Sequence, residues 1–305
     1  MTLETTSEAV RDNPPRVGWD LHCHTVFSDG TRTPRELVEL AVSAGLLGVA
    51  ITDHDTSSGW RAAAKAAREA GLPLLRGTEI TSEFGRTSVH MLAYQYDPHS
   101  ARIIELFHRT RMARLTRAKV MVERLANDFP ISWESVLDQV KEGDQTTVGR
   151  PHIADALVHA GVYGTRSEAF AGAINSRSRY YVPTPSPAAL DVVRTVRDAG
   201  GVTVVAHPAD AGRNRILLSD TQIEQLAGAG LDGLEVWHRG NAPEQRMRLL
   251  GLARRFNLLT TGGSDWHGSG KPNRLGEHLT AQDTVRRIVE RGAIDLAGGP
   301  MRTAG

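Results

Sequence analysis

The chain contains 305 residues, of which 40% are apolar and 23% are charged, and its formal net charge is +1. A chain of this size can bury one large core, and a charge so close to zero excludes a global field that would gather duplex DNA or anionic lipid. The single cysteine, Cys23, excludes an intramolecular disulfide framework. Because we find neither an apolar leader nor a run of about 20 apolar residues, we expect a cytoplasmic protein without membrane contact.

Short apolar segments alternate with helical patterns along most of the chain, as is typical of β/α units. The first strand is predicted at residues 17–22. A helix follows, with Thr33 as its N-cap, Glu36 closing a capping box and Gly45 ending it. Later strands are predicted at residues 47–52, 74–78, 88–94, 202–206, 233–237 and 258–261. Later helices are predicted at residues 58–70, 190–199, 219–229 and 243–256. Seven strands in chain order predict an α/β fold, a distorted TIM-like barrel one strand short of eight.

The alternation stops in the middle of the chain, where the pattern is almost wholly helical and ends in Pro183-Thr-Pro-Ser-Pro187. We therefore predict that a helical subdomain, called the insertion below, interrupts the barrel. The predicted organisation is a flexible N-terminus at residues 1–16, a discontinuous barrel at residues 17–98 and 188–297, the insertion at residues 99–187 and a flexible tail at residues 298–305.

The first helix of the insertion is strongly basic. Residues 99–124 contain seven arginines or lysines and two glutamates, which gives a charge of +5 with neutral histidines. Arg114 and Arg117 are spaced to share one helix face. The segment is either a solvated helix with its charges outward or a wall that faces phosphate groups.

Histidines and carboxylates recur where predicted strands end. His22 and His24 are two apart on an extended segment, so both rings project from one face while Cys23 points away. The other residues of this kind are Asp29, His54, Glu79, His90, His207, Asp265 and His267. In βα barrels the carboxyl ends of the strands meet at one mouth, so all nine side chains are expected to converge there. Mixed imidazole and carboxylate ligands suit manganese, zinc or iron, which predicts a metal-dependent hydrolase.

Some neighbouring residues have less specific interpretations. We expect Asp53 and Asp55 to be supporting or structural groups, since Asp53 alternates away from His54 and Asp55 could cap the following helix. His238 follows the sixth strand and could be a ligand, a substrate contact, a proton donor to the leaving group or an ordinary surface residue. Trp237 and Trp266 are expected to pack in the barrel or its rim.

The metal motifs resemble those of the polymerase and histidinol phosphatase (PHP) family. The matching stretches are Asp20-Leu-His-Cys-His-Thr-Val-Phe-Ser-Asp-Gly30, Thr52-Asp-His-Asp55, Gly77-Thr-Glu79, Ala206-His-Pro208 and Ser264-Asp-Trp-His267. The resemblance implies a seven-stranded barrel with three divalent metal ions, manganese first and zinc or iron as alternatives. It implies one site from His22, His24, Glu79 and Asp265, a second from Glu79, His90 and His207, and a third from Asp29, His54 and His267.

The insertion is similar to that of the nucleotide-directed branch of the family, through residues 109–117, 148–153 and 179–182. Members of this branch act on adenosine monophosphate, nucleoside 3′,5′-bisphosphates or short RNA ends. Arg150, before Pro151, could bind an anion at a helix start or could be a surface residue. The residues predicted to contact the substrate are Arg114, Arg117, Arg150, His152 and His238.

Together these features predict a phosphoesterase that acts on nucleotides or 5′ ends of short RNA by in-line attack of a hydroxide held between metal ions. The residues expected to serve the reaction are Asp29, His54, Glu79, His207, Asp265 and His267. Three alternatives stay open: a phosphatase for histidinol phosphate or another small monoester, an amidohydrolase-type enzyme acting at carbon, and a non-enzymatic metal-stabilised module like the barrels attached to some polymerases.

Overall fold

The computed structural model describes residues 13–301. Its strands are β1 (Trp19–Asp20), β2 (Gly48–Ile51), β3 (Leu74–Phe84), β4 (Thr87–Tyr94), β5 (Val202–Val205), β6 (Gly233–Trp237) and β7 (Leu259–Gly262). Its α-helices are α1 (Pro34–Ser43), α2 (Trp60–Ala70), α3 (Ala101–Leu125), α4 (Trp133–Leu137), α5 (Arg150–His159), α6 (Arg166–Ala171), α7 (Ala189–Asp198), α8 (Asp220–Ala229), α9 (Pro243–Phe256) and α10 (Gln282–Arg291).

The seven strands form one sheet in chain order, β1 to β7, and curve into a nearly closed barrel. A bridge between Cys23 and Trp266 joins its two edges. There the His24 amide donates to the Trp266 carbonyl at 2.8 Å and the Trp266 amide to the His22 carbonyl at 3.2 Å. The predicted α/β barrel with a helical insertion is therefore confirmed.

Strand β4 departs from the β/α pattern because it runs antiparallel to both neighbours. Strand β3 extends six residues beyond the predicted end at Thr78 and turns directly into β4 at Gly85, where φ is +62°. Glycine adopts this left-handed backbone without steric cost. Because β4 is reversed, its early residue His90 lies at the same end of the barrel as the carboxyl ends of the parallel strands.

The first strand is much shorter than predicted, two residues instead of six. After Asp20 the chain no longer pairs regularly with a neighbouring strand, and the histidines that follow lie at the mouth of the barrel. The first helix agrees closely with its sequence signals. The Thr33 side chain accepts a hydrogen bond from the Glu36 amide, and the Glu36 carboxylate accepts one from the Thr33 amide, which is the predicted capping box.

Three apolar clusters organise the molecule. One fills the barrel interior away from the mouth, around Trp19, Leu75 and Tyr94, and helix α10 covers it through Val285 and Ile288. A second packs the outer helices on the sheet. The third lies wholly within the insertion and includes Met121, Leu125, Ile153, Leu157 and Ile174. A core of its own supports our proposal that residues 99–187 form a subdomain.

The ends of the predicted organisation lie partly outside the described residues. Residues 1–12 and 302–305, within the predicted flexible N-terminus and tail, are not described. The described part of the tail contacts the barrel, because Met301 packs against the interior cluster. Over residues 13–301, no helix is long and apolar enough to span a membrane.

Candidate metal centre

The nine predicted ligands converge at the mouth of the barrel, eight of them buried and His90 partly buried. His22 and His24 follow β1, and their Nε2 atoms lie 3.1 Å apart while Cys23 between them packs into the apolar core. This is the alternation expected of an extended segment. The nine side chains form three overlapping groups. One surrounds Glu79 Oε2 and Asp265, the second surrounds Glu79 Oε1 and the third surrounds Asp29.

The innermost group comprises His22, His24, Glu79 and Asp265. Glu79 Oε2 lies 3.2 Å from His22 Nε2 and 3.0 Å from His24 Nε2. Asp265 Oδ1 lies 3.5 and 3.4 Å from the same two nitrogens. Two carboxylate oxygens and two imidazole nitrogens therefore surround one small volume, as ligands of a divalent ion do.

The second group surrounds the other oxygen of Glu79. Glu79 Oε1 lies 2.7 Å from His90 Nδ1 and 3.0 Å from His207 Nε2. His54 Nδ1 lies 3.4 Å from Oε2. Although burial alone raises the pKa of Glu79, electrostatic interaction with the rings of His90, His22 and His54 holds that pKa well below its ordinary value. Glu79 is thus a carboxylate that bridges two groups of histidines.

The third group comprises His24, Asp29, His54 and His267. Asp29 Oδ1 lies 3.1 Å from His267 Nε2, and Asp29 Oδ2 lies 4.0 Å from His54 Nε2. Burial lowers the pKa of His54 well below its ordinary value and that of His267 to about 4. Burial thus favours the neutral form of these two imidazoles, the form in which histidine binds a metal.

Several polar atoms at the mouth have no hydrogen-bond partner among the described residues. They include Glu79 Oε2, Asp265 Oδ1 and His267 Nε2, each buried and each 3.0–3.5 Å from another ligand atom without the geometry of a hydrogen bond. Leaving such atoms unsatisfied costs about 1–3 kcal/mol each. Asp265 and His207 also adopt left-handed backbone angles, with φ of +54° and +31°, a conformation that non-glycine residues keep mainly at functional sites. These observations fit a site built for metal ions.

Two buried carboxylates, Asp53 and Glu235, bind the predicted ligands or the residues next to them. Asp53 accepts bonds from the Thr25 amide at 2.7 Å and from Ser28 Oγ at 2.7 Å, a supporting role as predicted. Glu235 of β6, which the sequence pattern did not single out, lies 3.0 Å from His22 Nδ1 and accepts the His207 amide at 2.7 Å. Such outer carboxylates fix the ring orientation of metal-binding histidines. The available signal was a lone glutamate inside an apolar strand.

Asp55 does not cap the following helix. The N-cap of α2 is Gly59, which makes no side-chain cap bond. Asp55 instead accepts from the Thr81 amide at 2.8 Å and from Arg114 Nε at 2.7 Å. Arg114 also donates to Thr81 Oγ1. Arg114, which was predicted to contact the substrate, therefore forms a buried ion pair that joins the insertion to the barrel.

Arg117 and Arg150 are placed differently from Arg114. Their guanidinium groups lie 5.0 and 5.6 Å from the Tyr181 ring centre, and Arg150 also lies 5.3 Å from that of Phe170. Among residues 13–301, neither arginine forms an ion pair with a carboxylate. Burial, followed by the neighbouring Arg150 charge, lowers the pKa of Arg117 to about 10. Two partly buried cations thus share an aromatic platform.

The two histidines predicted to contact substrate both have one ring nitrogen engaged by backbone. His152 Nδ1 accepts from the Gly149 amide at 3.2 Å, so it helps to start α5. His238 Nδ1 accepts from the Gly240 amide at 3.0 Å, and its buried Nε2 has no partner among the described residues. Burial lowers the pKa of His238 to about 3. The Gly240 bond places the hydrogen of a neutral His238 on Nε2, which faces no partner among the described residues.

Two further cations at the mouth gave no clear signal in the sequence. Arg213, in the loop after β5, donates to Asp265 Oδ2 at 2.6 Å, and Lys271, in the loop after β7, donates to the same oxygen at 2.8 Å. Burial alone raises the pKa of Asp265, but these two charges hold it well below its ordinary value. Only isolated basic residues in loops could have indicated them, and that signal is weak.

Comparison with known proteins finds relatives over most of the chain. The PHP domain family model matches residues 20–148. The 5′-3′ exoribonuclease Rnm of Salmonella typhimurium is 30% identical over 89% of this chain and 92% of its own length. The 3′,5′-nucleoside bisphosphate phosphatase of Chromobacterium violaceum is 29% identical over 89% of this chain and 95% of its own.

A crystal structure from Bifidobacterium adolescentis matches this chain over nearly its whole length. That protein, assigned as a metal-dependent phosphoesterase, is 63% identical, with a TM-score of 0.92, over 92% of this chain and 99% of its own. Since relatives of 30% identity or more span nearly the full chain, and the mouth carries buried clusters that suit metal ions, the chain belongs to the PHP domain family of metal-dependent phosphoesterases.

Proposed function

We propose that this enzyme hydrolyses phosphate esters of nucleotides that carry a second phosphate, namely nucleoside 3′,5′-bisphosphates or the 5′ ends of short RNA. One observation carries the proposal. The mouth holds a dense set of metal-ligand groups, while the adjoining insertion presents two arginines, Arg117 and Arg150, without carboxylate partners among the described residues. A substrate with one reacting phosphate and one distant anion would use both.

The nine ligands would hold up to three divalent ions, manganese before zinc or iron. We assign His22, His24, Glu79 and Asp265 to the first, Glu79, His90 and His207 to the second, and Asp29, His54 and His267 to the third. Bound ions would supply charge neutralisation at the phosphoryl oxygens and an activated water at neutral pH. The catalytic set is then Asp29, His54, Glu79, His207, Asp265 and His267.

Three side chains at the mouth are suited to orient the reacting phosphate. Arg213 and Lys271 both reach the outer oxygen of Asp265, and His238 presents an unpaired Nε2–H beside His207, with ring centres 5.3 Å apart. Donors fixed before substrate arrives stabilise developing negative charge without reorganisation. They would bind the non-bridging oxygens, and His238 Nε2 would lie among the groups able to contact the leaving oxygen.

The insertion would recognise the remainder of the nucleotide. Arg150 adjoins the contact between the insertion and the barrel, because a Cβ on the preceding Gly149 would lie 3.3 Å from Arg114 Nη1 and Arg114 pairs with Asp55. A guanidinium stacked on an aromatic ring keeps its N–H edge free for a phosphate. Tyr181 and Phe170 themselves offer faces on which a base can stack. The names of the exoribonuclease and bisphosphate phosphatase relatives agree with such a substrate.

The test is a side-by-side assay of the manganese-loaded protein. The substrates are adenosine monophosphate, adenosine 3′,5′-bisphosphate, a 5′-phosphorylated RNA oligomer and histidinol phosphate, with phosphate or mononucleotide release as the measurement. We expect kcat/KM to be highest for the bisphosphate or the RNA. Activity on histidinol phosphate alone would contradict the proposed substrate class and leave the metal centre intact.

A further inference from the structure

The loop that carries Asp29 is supported differently from Glu79, His90 and Asp265. Glu79 and His90 lie within paired strands, and Asp265 directly precedes the bridge at Trp266. Asp29 lies instead in residues 25–31, here called the Asp29 loop, which belongs to no strand or helix. Its position must therefore be set by contacts from outside the sheet.

Asp53 of the barrel provides some of these contacts, because it accepts hydrogen bonds from the Thr25 amide and Ser28 Oγ at 2.7 Å each, and the others come from the insertion. Four carbonyl oxygens of the Asp29 loop accept hydrogen bonds from it. The pairs are Thr146 Oγ1 to Val26 O at 2.9 Å, the Thr147 amide to Phe27 O at 2.9 Å, Arg166 Nη1 to Asp29 O at 2.8 Å and Lys141 Nζ to Thr31 O at 3.1 Å. The loop also donates inward, through the Thr31 amide to the His267 carbonyl at 3.1 Å. The loop thus lies between the insertion and the mouth.

Arg166 makes the contact at Asp29 itself. Its side chain is 13% exposed, and Nε donates to Asp155 Oδ1 at 2.8 Å while Nη2 binds the other oxygen. This two-point pairing fixes the plane of the guanidinium, so Nη1 is held against the Asp29 carbonyl. Gly270 leaves room for the arrangement, because a Cβ there would lie 2.4 Å from Arg166 Nη1.

We infer that Arg166, braced by Asp155, is a positioning residue that holds Asp29 for the third metal ion. The inference rests on the proposed metal centre. Through this pair, occupancy of the site formed by Asp29, His54 and His267 depends on the docking of the insertion, whereas the two sites that share Glu79 depend on the sheet.

The experiment measures manganese bound per protein by elemental analysis after equilibration over a range of free manganese. Arg166→Met should bind one equivalent less than the unaltered protein, or bind its last equivalent at least roughly 10-fold more weakly. Arg166→Lys and Asp155→Asn should shift the same equivalent in the same direction, and they carry the test if Arg166→Met does not fold. Arg102→Met is the matched control, because Arg102 pairs α3 with Asp198 of α7 at 2.6 Å, away from the loop.

A double substitution tests the route of the effect. In an Asp29→Asn background the third ion is already weakened, so adding Arg166→Met should cause no further loss of manganese. Unchanged binding in Arg166→Met, an equal loss in Arg102→Met, or an additional loss in the double variant would each overturn the inference. Absence of tight manganese binding by the unaltered protein would refute the metal centre itself, which is a distinguishable result.

Discussion

The mouth and the insertion differ in which polar and charged groups lack a partner. At the mouth, carboxylates and imidazoles crowd together on strand ends, and several ligand atoms lack a hydrogen-bond partner among the described residues. In the insertion, Arg114 and Arg166 are neutralised by Asp55 and Asp155, whereas Arg117 and Arg150 lie on aromatic rings. In both regions the groups without such partners are the ones that we assign to metal ions or to substrate.

This contrast divides the basic residues of one helical segment into different tasks. Arg114 is a structural cation, since its partner Asp55 is fully buried. Arg117, on the same helix, has no carboxylate partner among the described residues and lies over the ring of Tyr181. A count of positive charge, such as the +5 of residues 99–124, does not distinguish the two. Substitutions at individual positions do.

The largest effect is expected at Glu79, which contacts histidines through both oxygens. Glu79→Gln removes the shared charge of two proposed metal sites, so we expect kcat/KM to fall roughly 1,000-fold and bound manganese to fall with it. Steady-state kinetics and elemental analysis measure the two quantities. Glu83→Gln, an exposed residue of the same strand, should change neither, and full activity in Glu79→Gln would remove the basis for the metal centre.

The mouth was predictable because a short-range rule determines it. Alternation along an extended segment directs His22 and His24 to one side, and the carboxyl ends of parallel strands meet at one edge. The same rule could not show that β4 is reversed, since the hairpin at Gly85 resembles an ordinary loop in sequence. His90 reached the mouth nevertheless, because reversal brings the early part of β4 to that edge.

The partners of the insertion's arginines could not be predicted from helical spacing. Arg114 and Arg117 do lie near each other, but one pairs with Asp55, 59 residues earlier in the chain, and the other with the Val182 carbonyl, 65 residues later. Only the docked tertiary structure assigns such partners. For the same reason Arg213 and Lys271, which meet at Asp265 from separate loops, gave no pattern in the sequence.

Arg114 is expected to affect stability more than substrate binding. Arg114→Met leaves the Asp55 carboxylate buried without its cation, so the free energy of unfolding should decrease by about 3 kcal/mol, measured by urea denaturation. Adding Asp55→Asn removes the stranded charge and should recover part of this loss. If Arg114→Met instead kept full stability and only raised KM, Arg114 would belong with the substrate-binding arginines. The distinction between Arg114 and the unpaired arginines of the insertion would then be wrong.

Arg150 is expected to show the reverse pattern. Arg150→Met removes a cation that no carboxylate among the described residues neutralises, so we expect little change in the urea midpoint and a KM for adenosine 3′,5′-bisphosphate roughly 10-fold higher. The KM for adenosine monophosphate should change much less, because that substrate lacks the second phosphate. An equal increase for both substrates would place Arg150 on the group they share and would contradict the assignment of a second-phosphate site.

The smallest effect is expected at Arg179. This residue belongs to a stretch that resembles the family's insertion, but its side chain points to solvent. Arg179 precedes Tyr180 and Tyr181, yet its side chain is 71% exposed, stacks on Tyr180 and pairs with Asp128 at 2.9 Å. Exposed ion pairs contribute little, so Arg179→Met should leave the KM for the bisphosphate within about twofold of its original value. A 10-fold increase in this KM, equal to that of Arg150→Met, would mean that substrate binding depends on the total positive charge of the insertion. The stacking on Tyr181 would then not explain selectivity.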